Sequence, residues 1–425
     1  MVKRAIEINC KALGIMDNNL AGVPKFIKAC KSLMCKCGKE LSQCGGNNSN
    51  KNFFCEPVSV KPIIGMKVNI TEDYENDIGK ICLIAKNFDG WKDLIIVNNE
   101  SNNYALKTHK LPMISVDKIS SIISKNNLIC VVGGIDSTVS RKIFGEKYHF
   151  NSYEEAKSFV RDWKSVIDTI GKYKDIFSDV FLETGDGSFA SQILTKIWNW
   201  VSSKINVKLI ASSPSYYSSP QDSYNHRLFL SIGLKTNLSS LANKILSERP
   251  ELVPFLKHNH FYIRSSEEMI NLFGEDKVQN TSLLSEMVSD FDIFSKPKLP
   301  NFLDSYTEDS IFLKKISYEA LNSFLRRKNI EHLRNTYEER LKKELEVFEE
   351  ARLSSYFLIV RDFCQYAKSS GWLMSPGRGS VGGSLVAMLI GITDESIDPI
   401  ANELIFERFY NRGRNTDNRV HQDAV

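Results

Sequence analysis

Short apolar runs alternate with amphipathic stretches through the first half of the chain. Pro62-Ile63-Ile64-Gly65, Ile81-Cys82-Leu83-Ile84, Leu128-Ile129-Cys130-Val131-Val132 and Lys208-Leu209-Ile210-Ala211 read as buried strands. Helical spacing recurs near residues 22–33, 152–171, 190–203 and 236–247. Strands and helices in alternation predict an α/β domain with parallel strands. The pattern breaks at Lys296-Pro297-Lys298-Leu299-Pro300, whose closely spaced prolines suit a linker. Beyond it the chain reads as largely helical. Residues 329–351 set Leu341, Leu345 and Phe348 on one helix face. Glu338, Glu339, Lys342, Lys343 and Glu344 nearby read as a solvated, charged face.

A length of 425 residues suits two or three domains, and 42% hydrophobic with 25% charged residues is ordinary for a soluble globular protein. The net charge of +4 gives no global basic field, which leaves room only for a local basic groove. No apolar run reaches the length of a membrane span, and the start, MVKRAIEINCKALG, lacks the apolar core of a signal peptide. A cytoplasmic location follows, with no membrane partner. Usage rich in Asn, Lys and Ile hints at an AT-rich genome such as a phage's, in which case the location is the host cytoplasm. Nine cysteines are too sparse for a disulfide scaffold. Cys10, Cys82, Cys130 and Cys364 sit in apolar or helical patterns and read as plain buried thiols.

Residues 31–58 look like an inserted loop. Within it Cys35, Cys37, Cys44 and Cys55 are a candidate four-thiolate zinc set. The Cys-x-Cys pair departs from the usual Cys-x-x-Cys knuckle, and the last spacing passes through Gly-Gly-Asn-Asn-Ser-Asn. A loop that happens to carry thiols in a reducing compartment is the preferred reading.

Chemistry concentrates at Ser375-Pro376-Gly377-Arg378-Gly379-Ser380-Val381-Gly382-Gly383-Ser384, a glycine-rich turn feeding an apolar helix. Such a turn lets backbone N–H groups approach a phosphate, and a helix dipole favours negative charge there. Arg378 adds a permanent, bidentate charge and Ser380 a hydroxyl donor. The competing reading is a tight turn whose glycines only make space for helix packing.

This turn sits among ordered blocks that resemble the C-family, the bacterial DNA polymerase III alpha subunits. The blocks are Tyr356 to Phe363, Pro376 to Ser380, Gly383 to Ala387, Ile392-Thr393 and Phe406 to Phe409. Weaker echoes lie at Val60 to Gly65, Gly90 to Leu94, Arg264 to Met269 and Asn280-Thr281. The resemblance implies an α/β fold in which a barrel-type (β/α) polymerase-and-histidinol-phosphatase (PHP) domain precedes a mostly helical linker. A partial nucleotidyltransferase palm like that of polymerase β follows. The expected spans are 1–295 for the PHP-like domain, 296–328 for the linker, 329–414 for the first palm segment and 415–425 for a divergent polar tail. The resemblance also implies that Gly379 and Ser380 line a triphosphate pocket, with Arg378 close by and Arg408 as a second cation. Glu407 is expected to pair with a nearby cation or to cap structure.

In the family an Asp-x-Asp pair that holds magnesium follows the Phe-Glu-Arg-Phe block. Here residues 411–425 offer only Asp417 and Asp423, with Arg419 and His421 between them. No catalytic residue is therefore assigned to this chain. Magnesium is expected only for a complete polymerase, and a second, carboxy-terminal polypeptide would supply the aspartates. The expected ligands of that enzyme are a deoxynucleoside triphosphate and primed template DNA, with replisome proteins as further partners. The PHP metal ligands are degenerate as well. The Thr-Asp-His block is Met16-Asp17-Asn18, the glutamate position is Lys67, and the Asn-Asp-x-His segment is Ser213-Pro214-Ser215-Tyr216, so only Asp17 remains. A lysine where a cation should sit opposes metal binding, and a phosphoesterase reaction is not expected. His226 reads as structural. Two alternatives stand beside the split-polymerase reading: a non-catalytic nucleotide- or replisome-binding protein, and a decayed, truncated gene product.

Overall fold

The computed structural model describes residues 1–31, 59–72, 78–145, 147, 150–161, 163–185, 188–249, 252–294 and 299–411, with the backbone of 34–35 and 57–58. The chain divides into two compact units, Met1–Ile293 and Phe294–Val425. Most of the expected inserted loop, most of the Lys296–Pro300 break and the polar tail lie outside the described residues.

The first unit is α/β, with nine strands among its described residues: β1 Ala12–Asp17, β2 Met34–Cys35, β3 Pro57–Val58, β4 Lys61–Thr71, β5 Gly79–Ala85, β6 Ile114–Ser115, β7 Leu128–Val132, β8 Asp179–Thr184 and β9 Lys208–Ala211. The main sheet runs β1-β4-β5-β7-β8-β9 with β6 beside β4, and β2 pairs with β3 apart from it. All four expected strand runs are strands. The sheet is mixed rather than parallel, because β5 is antiparallel to both β4 and β7. Only residues 72–78 join β4 to β5. A parallel crossover needs a dozen residues or more, so a connection this short folds back antiparallel.

The core follows from the apolar runs. Every residue of β7 is buried. Leu94 and Val97 of the Phe88–Thr108 helix and Trp198 and Val201 of the Phe189–Ile205 helix pack in the same core cluster as Leu128, Cys130 and Val132. The Trp198 indole N–H donates to the Gly133 carbonyl at 3.2 Å, so its one polar atom is satisfied inside that core. Cys82, Cys130 and Cys364 are buried thiols as expected, while Cys10 is half-exposed.

The second unit is helical throughout its described residues, with helices Tyr306–Lys328, Arg334–Glu350 and Ser354–Ser369 followed by short turns and helices to Phe409. No strand occurs among residues 299–411, so the sheet implied by a palm is not among the described residues. The Tyr306–Lys328 helix falls in the expected linker, but Leu313, Leu321, Phe324 and Leu325 bury its apolar side in the second core. It therefore belongs to that unit. A capping box at Ser305 and Glu308 starts it, and Asn329 with φ of 56° ends it.

Candidate functional site

The glycine-rich turn begins where the Ser354–Ser369 helix stops. Gly371, with φ of 76°, turns the chain, which passes exposed through Trp372, Leu373 and Met374 to a 3₁₀ turn at Gly379–Gly383. The Asp394 N–H donates to the Pro376 carbonyl at 2.6 Å, fixing the start of the turn. Gly379 has φ of 74° and open space where a side chain would point, a backbone state that favours glycine. Gly383 has a different reason: an added Cβ would come within 2.9 Å of the Ile405 carbonyl oxygen.

The structure therefore places Arg378, Gly379 and Ser380 at an exposed tip and buries Gly382, Gly383 and Ser384 at its base. Arg408 is exposed on the Phe406–Phe409 helix, which packs against the base of the turn. The two segments carrying the expected cations are thus neighbours. Neither guanidinium has an ion-pair partner among the described residues. Glu407 pairs with Lys343, as expected.

One expectation is corrected here. Glu344 is not part of a solvated face; it is fully buried. Its carboxylate accepts from the Ser384 hydroxyl at 2.8 Å and from the Leu385 and Val386 N–H groups at 2.9 and 3.0 Å. Arg340 Nε donates to it at 2.7 Å. Burial pushes the Glu344 carboxyl above its ordinary pKa, while those N–H donors and the guanidinium pull the other way. The consequence for the turn is direct. The start of the Leu385–Leu389 helix already holds an anion, so that helix N-terminus is not open to a phosphate. Arg340 and Glu344 escaped sequence reasoning, although a signal was present. Positions 341, 344 and 348 share one helical face, so Glu344 sits on the apolar stripe.

Among the described residues no group of three or more His, Cys, Asp or Glu side chains is placed to hold a metal ion. Glu344 is committed as above, Glu407 pairs with Lys343, and Asp398 accepts from the Tyr337 hydroxyl at 2.5 Å and the Ile400 N–H at 2.9 Å. Asp417 and Asp423 lie outside the described residues, as do the side chains of Cys35, Cys37, Cys44 and Cys55.

In the first unit, one of the expected PHP ligand positions, Lys67, sits in an ion-pair cluster. Lys67 on β4 and Lys80 on β5 approach the same Asp136 oxygen at 3.7 and 3.3 Å. Burial opposes the Lys67 charge, yet Asp136, with Cys82, Glu183 and Tyr216 nearby, holds its pKa above the ordinary lysine value. Burial likewise opposes the Asp136 charge, and the two ammoniums outweigh it, holding that carboxyl below its usual range. Burial pushes the Cys82 thiol up to about 12. Asp17 is exposed at the end of β1. Ser213 Oγ accepts from the Arg264 guanidinium at 2.5 Å, and the Tyr216 N–H donates to the Phe261 carbonyl at 2.9 Å. His226 packs its ring 4.8 Å from Phe255, in keeping with a structural role. Sequence reasoning missed Asp136, which follows Gly133-Gly134 at the end of β7.

These two units correspond to two known domain families. A PHP domain model matches residues 1–179, and the bacterial DNA polymerase III alpha NTPase domain matches residues 312–418. The chain is 29% identical to DNA polymerase III subunit alpha of Aquifex aeolicus over 440 residues, covering 97% of this chain and 33% of that protein. The same subunit of Helicobacter pylori is 29% identical over 446 residues, covering 97% of this chain and 32% of that protein. That of Borreliella burgdorferi is 28% identical, again over 97% of this chain and 32% of the relative. Over 97% of its length the chain is similar to these DNA polymerase III alpha subunits, and it spans about a third of the length of these curated relatives. No helix among the described residues is long and apolar enough to cross a membrane.

Proposed function

We propose that the second unit holds the triphosphate of an incoming deoxynucleotide for a DNA-directed DNA polymerase of the polymerase III alpha type. Backbone N–H groups of the tip, the Ser380 hydroxyl and the Arg378 guanidinium contact phosphate oxygens, and Arg408 adds a second cation. The observation carrying this reading is the pair of exposed guanidiniums on adjacent segments, neither neutralised among the described residues. Fixed cationic donors stabilise the charge that builds on phosphoryl oxygens during transfer. Primed template DNA is the second substrate.

Magnesium and its carboxylates belong to a carboxy-terminal polymerase half in this reading. Residues 411–425 hold no Asp-x-Asp pair, and the carboxylates of Glu344, Asp398 and Glu407 already have partners. The chain by itself then binds nucleotide without extending a primer. Titration with dATP in excess Mg2+ tests the site: Arg378→Ala weakens binding by about 10–100-fold, the loss of one charge-assisted hydrogen bond. Equal affinity in parent and variant refutes the role of Arg378. Primer extension by the purified chain with nothing added refutes the need for a second half.

A further inference from the structure

We infer that Arg340 and Glu344 are positioning residues that set the triphosphate turn against the segment carrying Arg408; this rests on the phosphate reading above. Arg340 stands at a junction of three segments. Its Nε donates to Glu344, one helical turn on, at 2.7 Å. Its Nη2 donates to the Gly383 carbonyl at 2.6 Å and to the Leu404 carbonyl at 3.2 Å. Its guanidinium also lies 5.7 Å from the centre of the Phe406 ring. Glu344 completes the grip by receiving Ser384, Leu385 and Val386. One turn of the Arg334–Glu350 helix thus holds the base of the phosphate turn and the approach to Arg408 together.

The choice of charged residues is informative. A buried ion pair is a weak stabilising device, since apolar residues of similar volume usually serve as well. What a planar guanidinium adds is a rigid fork that reaches several acceptors in fixed directions. Here the acceptors sit on two segments that, in this reading, must present their cations to one ligand. A displacement of about 1 Å between binding groups is enough to lower a rate or affinity by up to about 10²-fold. Lysine at position 340 keeps the charge opposite Glu344 but cannot reproduce the fork.

The test is titration of the full chain with inorganic tripolyphosphate, using Arg340→Lys, Arg378→Ala and the double variant, with thermal unfolding as the fold control. Arg340→Lys is expected to unfold near the parent temperature and lose about 10-fold in affinity. On the Arg378→Ala background the same change is expected to lose less than about 2-fold, because positioning acts through the turn. Unchanged affinity in folded Arg340→Lys, with Arg378→Ala impaired, overturns the inference and leaves the phosphate reading standing. Fully additive losses also overturn it. Unchanged affinity in Arg378→Ala overturns the phosphate reading, and this inference with it. If Arg340→Lys does not fold, Ser384→Ala, which removes one donor to Glu344 and leaves the ion pair, decides by the same criteria with an expected loss of about 3-fold.

Discussion

Replacing Glu344 with alanine leaves the Leu385 and Val386 N–H groups and the Arg340 guanidinium without their acceptor. Leu385 and Val386 are fully buried, so water cannot take over. Each orphaned buried donor costs about 1–3 kcal/mol. Arg340 keeps 19% of its side-chain surface and two carbonyl partners, so its loss is smaller. Ser384 keeps its role as acceptor for the Ala387 N–H at 3.2 Å. Together these terms match the roughly 3–5 kcal/mol seen when one partner of a buried pair is removed. Lys342, two positions earlier and exposed, provides the control, with an alanine effect within about 0.5 kcal/mol. Because the chain has two units, one melting temperature does not isolate the effect. Hydrogen exchange of the amides from 387 to 392 does. Their protection should fall roughly 10²–10⁴-fold in Glu344→Ala and hardly change in Lys342→Ala. Glu344→Gln, which retains one acceptor oxygen, should lie between them. Equal protection in Glu344→Ala and Lys342→Ala would refute the buried anion.

Other perturbations follow from single contacts. Tyr337→Phe deprives Asp398 of its hydroxyl donor and should destabilise the second unit by about 1–2 kcal/mol in urea titrations followed by exchange. Gly383→Ala forces a Cβ against the Ile405 carbonyl and should cost about 1–3 kcal/mol; a thermal scan showing no loss refutes that packing. Gly379→Ala meets open space and pays only for its positive φ, about 1–2 kcal/mol. In the first unit, Asp136 is held below its ordinary 3.8 and Lys67 above its ordinary 10.5. The Asp136 contribution is complete above pH 3.8 and lost as pH falls through its folded value. The Lys67 contribution is complete below pH 10.5 and lost as pH rises through its folded value. Urea midpoints of Asp136→Asn should therefore lack the parent's acid decline, and an unchanged decline would count against the cluster.

The sequence made visible what is local and left hidden what is distant. The four expected strands are buried on both faces, so their apolar runs are continuous. β1 lies at one end of the sheet with no buried residue, and β8 is bounded by the polar Asp179 and Thr184, so neither shows such a run. The Phe88–Thr108 helix carries Asn98-Asn99-Glu100-Ser101-Asn102-Asn103 in its middle, which masks its apolar stripe. The Tyr306–Lys328 helix was visible as helical, yet only packing shows that its buried side belongs to the second core. At the candidate site, glycine and arginine betray the turn because turn chemistry is written in adjacent residues. The Glu344 partners are 40 and more positions away, and no local pattern records them.

Each unit closes a charged site with its own side chains, and that bears on where a ligand can bind. In the first unit, Lys67 and Lys80 close on Asp136. An incoming divalent cation would have to displace the Lys67 ammonium, whose pKa the site itself holds up, and the Lys80 ammonium beside it, so the arrangement opposes a metal at that point. In the second unit, the anion-accepting start of the Leu385–Leu389 helix is likewise closed, by Glu344. What remains open is the tip, with Arg378 and Arg408 exposed and unneutralised among the described residues. An anion arriving there replaces water around two cations without breaking any internal pair, so only desolvation and solvent screening offset its charge-assisted hydrogen bonds. A phosphate site at the tip therefore does not depend on the helix dipole. Removing the dipole contribution, for example by shortening the Leu385–Leu389 helix through Ala387→Gly, should leave tripolyphosphate affinity within about twofold while the chain stays folded, since the macrodipole acts mainly on groups at its own terminal turn.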